Sequence, residues 1–315
     1  MEINKTQEPF VLILVPTLNE ELWINRCIES VCRQTYSNWI IYCQDNVSTD
    51  QTFSRVESIA SKWTNVFVNK LDKRVSGADS FNLVAKNGLK IFKSEYICWL
   101  GADDYWQETD YLERMIKKLK QNQAIAISPN VQLISEDDSN IAVPFNPSFE
   151  NPIKIIRVGH LLRNWNGVNA MYGIYTRDVF EEIFQNGGPV SEYNGSDWWW
   201  VYAAIIKGKI LNCEGATYRK TTWSTDRRQM EFLDSNESFS RKTIRNKIHN
   251  VLYSWKSDTS PFYRHILGER QRLLKLNDWT LLVVIVFFAF RSLINIPYSP
   301  IALVIRKIRI FIRNR

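Results

Sequence analysis

The sequence predicts an α/β protein: a mostly parallel sheet flanked by helices, followed by a C-terminal helical extension that associates with membrane. Two observations predict the sheet. Strand-like apolar runs alternate with helix-period segments from Phe10 to Ile127. Three of those runs lead straight into polar loops. A third observation predicts the extension: the uncharged block Trp279 to Phe290 precedes a segment in which Ile and basic residues interleave.

Phe10 to Val15 is a continuous apolar run and reads as a buried first strand, with Pro16-Thr17-Leu18-Asn19-Glu20 as its loop. Leu22, Ile24, Cys27, Ile28, Val31 and Cys32 then recur at helical spacing. Trp39 to Cys43 predicts a second strand, ending in Asp45-Asn46-Val47-Ser48-Thr49-Asp50. Ser48, Thr49 and Asp50 are N-cap candidates for a helix carrying Phe53, Val56, Ile59 and Ala60. Val66 to Val68 is a third strand. A helix through Phe81, Val84, Leu89 and Phe92 leads to the strand Tyr96 to Leu100. A helix over Tyr111 to Lys120 and a strand over Ala124 to Ile127 complete the alternation.

Residues 130–160 are polar and contain prolines, so they read as an irregular connection. Gly173-Ile174-Tyr175 is the next strand, and Arg177-Asp178 opens a helix through Val179, Phe180 and Ile183. Asn186-Gly187-Gly188-Pro189 is a loop. Asp197 stands where a helix starts, continued by Val201, Ala204 and Ile205 and stopped at Gly208. Lys209 to Cys213 returns as a strand.

After Leu100, Gly101-Ala102 lets the chain turn sharply into Asp103 and Asp104. Two like charges at a strand end repel and lose solvation unless a cation, a donor group or water compensates them. A hard divalent metal carrying a phosphate-bearing ligand is one solution. A solvated turn with a helix-capping Asp is another. In a right-handed parallel sheet the loops after Val15, Cys43 and Leu100 meet at the carboxyl edge, where such sheets bind ligands. Thr17, Asp45 and the Asp103–Asp104 pair then converge. Neither a G-x-G-x-x-G nor a G-x-x-x-x-G-K-[ST] pattern follows the first strand, so a dinucleotide or P-loop site is not expected.

Composition narrows the setting. The chain carries 12 Trp, which serve either as core or as stacking surfaces for ring-shaped ligands. Cys27, Cys32, Cys43, Cys98 and Cys213 are odd in number and lack metal-ligand spacing, so buried, reduced thiols are expected. His160, His249 and His265 also lack such spacing. Met1 to Pro9 is polar, without a signal-peptide pattern. The net charge of +7 is unevenly spread: from Glu231 onward 15 Lys/Arg face 6 Asp/Glu. The basic part therefore points to an acidic surface, with anionic lipid favoured over nucleic acid because no nucleic-acid-binding motif is present.

Five motifs, in order, resemble the family-2 glycosyltransferases of the GT-A fold, over residues 9–225. Val15-Pro16-Thr17-Leu18-Asn19-Glu20 is similar to their first-strand loop. Gln34-Thr35-Tyr36-Ser37-Asn38-Trp39 is similar to their link into the second strand. Asp45-Asn46-Val47-Ser48-Thr49-Asp50-Gln51-Thr52 resembles D-D-G-S-T-D-x-T, with Asn46 and Val47 as departures. Gly101-Ala102-Asp103-Asp104 resembles the D-x-D region, and Ser196-Asp197-Trp198 falls at the base motif.

The resemblance implies inverting transfer of a sugar from a nucleotide-sugar, with UDP-sugars favoured, to a saccharide or lipid-linked acceptor in cell-surface polysaccharide assembly. It implies Mg²⁺ or Mn²⁺ held by Asp104 with Asp103 beside it. Pro16, Thr17, Asn19 and Glu20 would lie near the nucleoside, and Asp45 would accept a hydrogen bond from the base. Asp197 would be the general base, with Trp198 and Trp199 as acceptor-side candidates, at least one of the Trp run being core. Two departures stand out: Gly101 replaces a first Asp, and Tyr218-Arg219 is followed by Lys220-Thr221 instead of His. Arg219, Lys220 or Arg227 and Arg228 are then the candidate diphosphate contacts.

On this reading residues 1–230 are the catalytic domain, 231–275 a charged helical connector and 276–315 a membrane-associating tail. The apolar block is shorter than the roughly 20 residues of a membrane span, so peripheral attachment to the inner face of the cell membrane is expected, against a buried hairpin or dimer contact. Two competitors are a sugar-phosphate nucleotidyltransferase and a non-catalytic GT-A-like scaffold. The first calls for a Gly-rich basic loop after strand one, which Pro16–Glu20 is not.

Overall fold

Val11–Thr17 forms β1, whose first five residues are fully buried. A run that is apolar on both faces belongs inside a sheet covered on both sides. This computed structural model describes residues 10–222 apart from 137, 143–148, 164 and 186–195, all within one compact unit. The expected loop at Asn186, the cations Arg227 and Arg228, the connector and the tail lie outside the described residues. Among the described residues no helix is long and apolar enough to cross a membrane.

β1 pairs in parallel with β2 (Trp39–Asp45) along its whole length, Val11 opposite Trp39 and Thr17 opposite Asp45. Its other neighbour is β4 (Tyr96–Trp99), also parallel, and β3 (Val66–Lys70) extends the sheet beyond β2. This half is the expected parallel sheet. Beyond β4 the sheet is mixed. β8 (Ile174–Thr176) joins β4 antiparallel, β6 (Ala126–Ile134) joins β8 antiparallel, and β9 (Ile210–Thr221) runs parallel to β6. The two-residue β5 (Tyr105–Trp106) pairs antiparallel with β9, and β7 (Asn140–Ala142) with β6.

Alternation along β1 divides the core. Val11, Ile13 and Val15 pack with Ile24, Ile28 and Val31 of α1 (Ile24–Cys32), Val56 and Ile59 of α2 (Thr52–Ala60), and Met115 and Ile116 of α4 (Tyr111–Asn122). The opposite face receives α3 (Gly77–Ile91), where Gly88 lies so close that a Cβ would stand 2.6 Å from Leu14 Cδ2. On that side Trp99 contacts Phe81 of α3, Phe180 of α6 (Arg177–Gln185) and Trp200 of α7 (Ser196–Lys207). Trp200 is therefore a core member of the Trp run. Burying each such large side chain contributes about 1.5–3 kcal/mol.

Local chemistry fixes the elements. Ser76 caps α3 by accepting the Asp79 N–H at 3.1 Å while donating to the Asp79 carboxylate, a reciprocal cap. Of the three cap candidates for α2, Asp50 reaches the first turn, accepting the Thr52 N–H at 2.9 Å. Gln34 ties α1 to α4: its amide donates to Ser30 O and Glu108 O and accepts the Leu112 N–H. The Gln34-Thr35 motif is thus a structural clamp. All five cysteines are free thiols, four of them buried.

Four expectations need correction. Leu22, read as part of an apolar helix face, is 70% exposed, because α1 starts only at Ile24. β1 runs on through Pro16 and Thr17 instead of giving way to a loop at Val15. The stretch 130–160 is not irregular throughout: β6 continues to Ile134 across a register shift at Pro129/Asn130, and Lys154–Arg163 forms α5. Likewise β9 runs to Thr221, and Trp165–Tyr172 is a 3₁₀ helix.

Candidate active site

The turn after β4 folds Asp104 inward. Its N–H donates to Gly101 O at 3.0 Å, and its carboxylate is 3% exposed. Two donors from β9 hold that carboxylate: the Thr221 N–H reaches Oδ1 at 2.8 Å and the Tyr218 hydroxyl reaches Oδ2 at 2.7 Å. The Tyr218 hydroxyl in turn accepts the Gly101 N–H at 3.0 Å, and the Thr221 hydroxyl donates to Asp103 O at 2.7 Å. On the other side the Cys27 thiol donates to Gly101 O at 3.3 Å. Burial pushes the Asp104 pKa well above the usual carboxylate range, and the Asp103 charge adds to that.

Gly101 has a steric reason. A Cβ there would stand 2.5 Å from Asp104 Oδ2 and 3.0 Å from Asp103 Oδ1. The space a first carboxylate would need is filled by the second and third.

Side-chain alternation along β9 separates Lys220 from Arg219. Arg219, expected at the donor, bonds Gln107 on an exposed face. Tyr218 and Lys220 share the other face with Tyr172 at the end of the 3₁₀ helix. The two tyrosine rings lie 4.8 Å apart, and the Lys220 ammonium sits 4.5 Å over the Tyr172 ring. Burial lowers the Lys220 pKa, but Tyr172, Asp104 and Asp197 outweigh it and the net direction is up. Asp197, half-buried in the first turn of α7, thus shares an electrostatic neighbourhood with Asp104 through Lys220 and Tyr172. The side chains of Trp198 and Trp199 lie outside the described residues.

The loops after β1 and β2 are zipped together. Asn19 N–H donates to Ser48 Oγ at 3.0 Å, and Asn19 Oδ1 accepts the Thr49 N–H at 2.9 Å. Glu20 N–H reaches Thr52 Oγ1 at 2.7 Å, and Glu21 N–H reaches Asp50 Oδ2 at 3.2 Å. Asn19 takes a left-handed φ of 54°, which suits Asn; Val47 takes 61°, where a β-branched residue is strained. That is the position of glycine in the motif this segment resembles.

Thr17, Asp45 and Asn46 meet at the sheet edge as expected, but in a structural bonding pattern. The Thr17 hydroxyl lies between strands, donating to Gln44 O at 3.4 Å. The Asp45 carboxylate, 1% exposed, accepts the N–H and hydroxyl of Ser48, with Lys70 at 3.9 Å. Pro16 pairs with Gln44 within the strands. Sequence reasoning assigned no role to Tyr218 or Thr221 and missed Tyr172. Tyr218 and Thr221 lie on the part of β9 beyond Cys213, where the sequence predicts no strand.

Mg²⁺ and Mn²⁺ favour octahedral sets of oxygen ligands. Among the described residues no three His, Cys, Asp or Glu side chains converge on a metal-sized site. Gly101 withholds the first carboxylate of the pattern, a Cβ there would press on Asp104, and each Asp104 oxygen already accepts one hydrogen bond from β9. The described residues therefore form no three-ligand protein cage; a metal here would be held by Asp103 and Asp104 together with oxygens of the substrate.

The family model described as glycosyl transferase family 2 matches residues 12–184, so the chain belongs to that family. An uncharacterized glycosyltransferase of Haemophilus influenzae is 31% identical over 196 residues, 58% of this chain and 58% of its own length. The Escherichia coli UDP-Glc:alpha-D-GlcNAc-diphosphoundecaprenol beta-1,3-glucosyltransferase WfgD is 28% identical over 127 residues, 40% of this chain and 47% of its own. The matches therefore span about half the length of these relatives. Among solved structures, Staphylococcus aureus TarS 1-349 in complex with UDP-GlcNAc superposes with a TM-score of 0.55 at 17% identity, over 68% of this chain and 58% of that one. The fold is of the GT-A type.

Proposed function

We propose that the chain is an inverting glycosyltransferase, moving a sugar from a UDP-sugar to a hydroxyl of a saccharide or lipid-linked acceptor in cell-surface polysaccharide assembly. The observation that carries this reading is the shared neighbourhood of Asp104, Lys220 and Asp197, with the Asp103–Asp104 turn and the zipped loops both leaving carboxyl ends of adjacent parallel strands. A relative whose name specifies a UDP-Glc donor and a diphosphoundecaprenol-linked acceptor supports the substrate class.

In this mechanism the nucleoside lies against the loops around Asn19–Glu20 and Asp45–Ser48. Asp197 takes the proton of the acceptor hydroxyl as its oxygen attacks the anomeric carbon. The bond from that carbon to the diphosphate oxygen breaks, and the electron pair leaves with the diphosphate. Attack from the face opposite the leaving group inverts the centre. The basic residues of 291–315 would rest on anionic lipid, beside a lipid-linked acceptor.

The test is UDP release from UDP-glucose and UDP-GlcNAc by the full chain, with membrane extract as acceptor source. Transfer to lipid-extractable material supports the reading. Absence of both UDP binding and donor turnover rejects it.

A further inference from the structure

One buried and two half-buried carboxylates of this site call for a cation, and the protein already carries one. Lys220 projects from the same face of β9 as Tyr218, which holds Asp104. Its ammonium is fixed over the Tyr172 ring at 4.5 Å, and Tyr172 packs on Tyr218 at 4.8 Å. The Tyr172 ring beneath it and the attraction of Asp104 and Asp197 keep the lysine at the site. It remains only partly buried, so an anion can reach it. The metal donor set is poorer at the same point, because Gly101 supplies no carboxylate and each Asp104 oxygen already holds one donor from β9.

We propose that Lys220, in place of a protein-held divalent metal, is the cation that meets the donor diphosphate and stabilises the charge it gains when the sugar leaves. The inference rests on the glycosyltransferase reading and sharpens it. No atom is transferred to or from Lys220: the leaving oxygen takes the electron pair of the broken bond, and the ammonium stabilises it by charge and N–H donation. A fixed ammonium has a consequence that a metal lacks. Binding of the diphosphate does not depend on free divalent ion.

Calorimetric titration of the full chain with UDP and with uridine, each in EDTA and in Mn²⁺, tests this. Wild type is expected to bind UDP in EDTA within about threefold of its affinity in Mn²⁺. Lys220→Met is expected to weaken UDP by about tenfold or more and leave uridine within about twofold, since a charged hydrogen bond is lost only for the phosphate-bearing ligand. Lys220→Arg, which keeps the charge, is expected to retain UDP binding in EDTA and serves if the Met variant does not fold. UDP binding that appears only with Mn²⁺ overturns the proposal. So does a Lys220→Met variant that binds UDP normally in EDTA, or one that weakens UDP and uridine alike. If UDP fails to bind under any condition, the glycosyltransferase reading falls with it.

Discussion

Tyr218 donates its hydroxyl hydrogen to Asp104 at 2.7 Å while accepting the Gly101 N–H at 3.0 Å, so one side chain ties both ends of the acidic turn to β9. Removing that oxygen leaves a buried carboxylate oxygen and a backbone N–H short of a partner. Tyr218→Phe is therefore expected to lower stability by about 1–3 kcal/mol, read from urea unfolding. An unchanged midpoint would show that water replaces the hydroxyl.

Asp104 makes stability depend on pH. Its folded pKa lies above its ordinary value through burial and then the Asp103 charge, so the folded state binds more protons than the unfolded chain between those two values. The contribution is fully present below about pH 3.8 and is lost as pH rises through the raised folded pKa. Asp104→Asn lacks that slope. Relative to wild type, it should melt higher as pH increases. Melting curves across pH 5 to pH 8 check both curves, and parallel behaviour of the two proteins would contradict the assignment.

Gly101→Asp restores the carboxylate that the family pattern places first, yet it should not restore a metal site. Its Cβ alone would stand 2.5 Å from Asp104 Oδ2, which the Tyr218 hydroxyl holds while the Thr221 N–H holds Oδ1. Overpacking of this kind costs about 1–3 kcal/mol. The expected result is a less stable protein with reduced transfer in both EDTA and Mn²⁺. A Mn²⁺-dependent gain in activity would show that the turn yields.

Asp197→Asn keeps the shape of the first turn of α7 but cannot take a proton. Transfer should fall by about 10²–10⁴-fold, with UDP affinity retained. Single-turnover assays alongside UDP titration separate the two effects. Surviving transfer would move the base elsewhere.

The parallel half of the sheet was legible because β1, β2 and β4 are continuous apolar runs, each ending in a polar loop. The mixed half was not. Pro129 reads as a stop, yet β6 passes it with a register shift, and Gly215 hides the continuation of β9 past Cys213. β5 is two residues long and has no period to detect. The same lapse concealed half of the acidic site, since Tyr218 and Thr221 lie on the missed part of β9. Asp103, Asp104 and Asp197 were visible as motif residues, but which cation of Arg219 and Lys220 faces them depends on strand alternation. Asp45 was visible too; its engagement by Ser48 was not.

The bonds that join Asn19 to Ser48 and Thr49, Glu20 to Thr52 and Glu21 to Asp50 cross some thirty positions of sequence. The two loops are consequently a single unit of inheritance. A chimera that imports one loop from a relative without the other would break the pairing on both sides, whereas importing both together should transplant the donor preference intact.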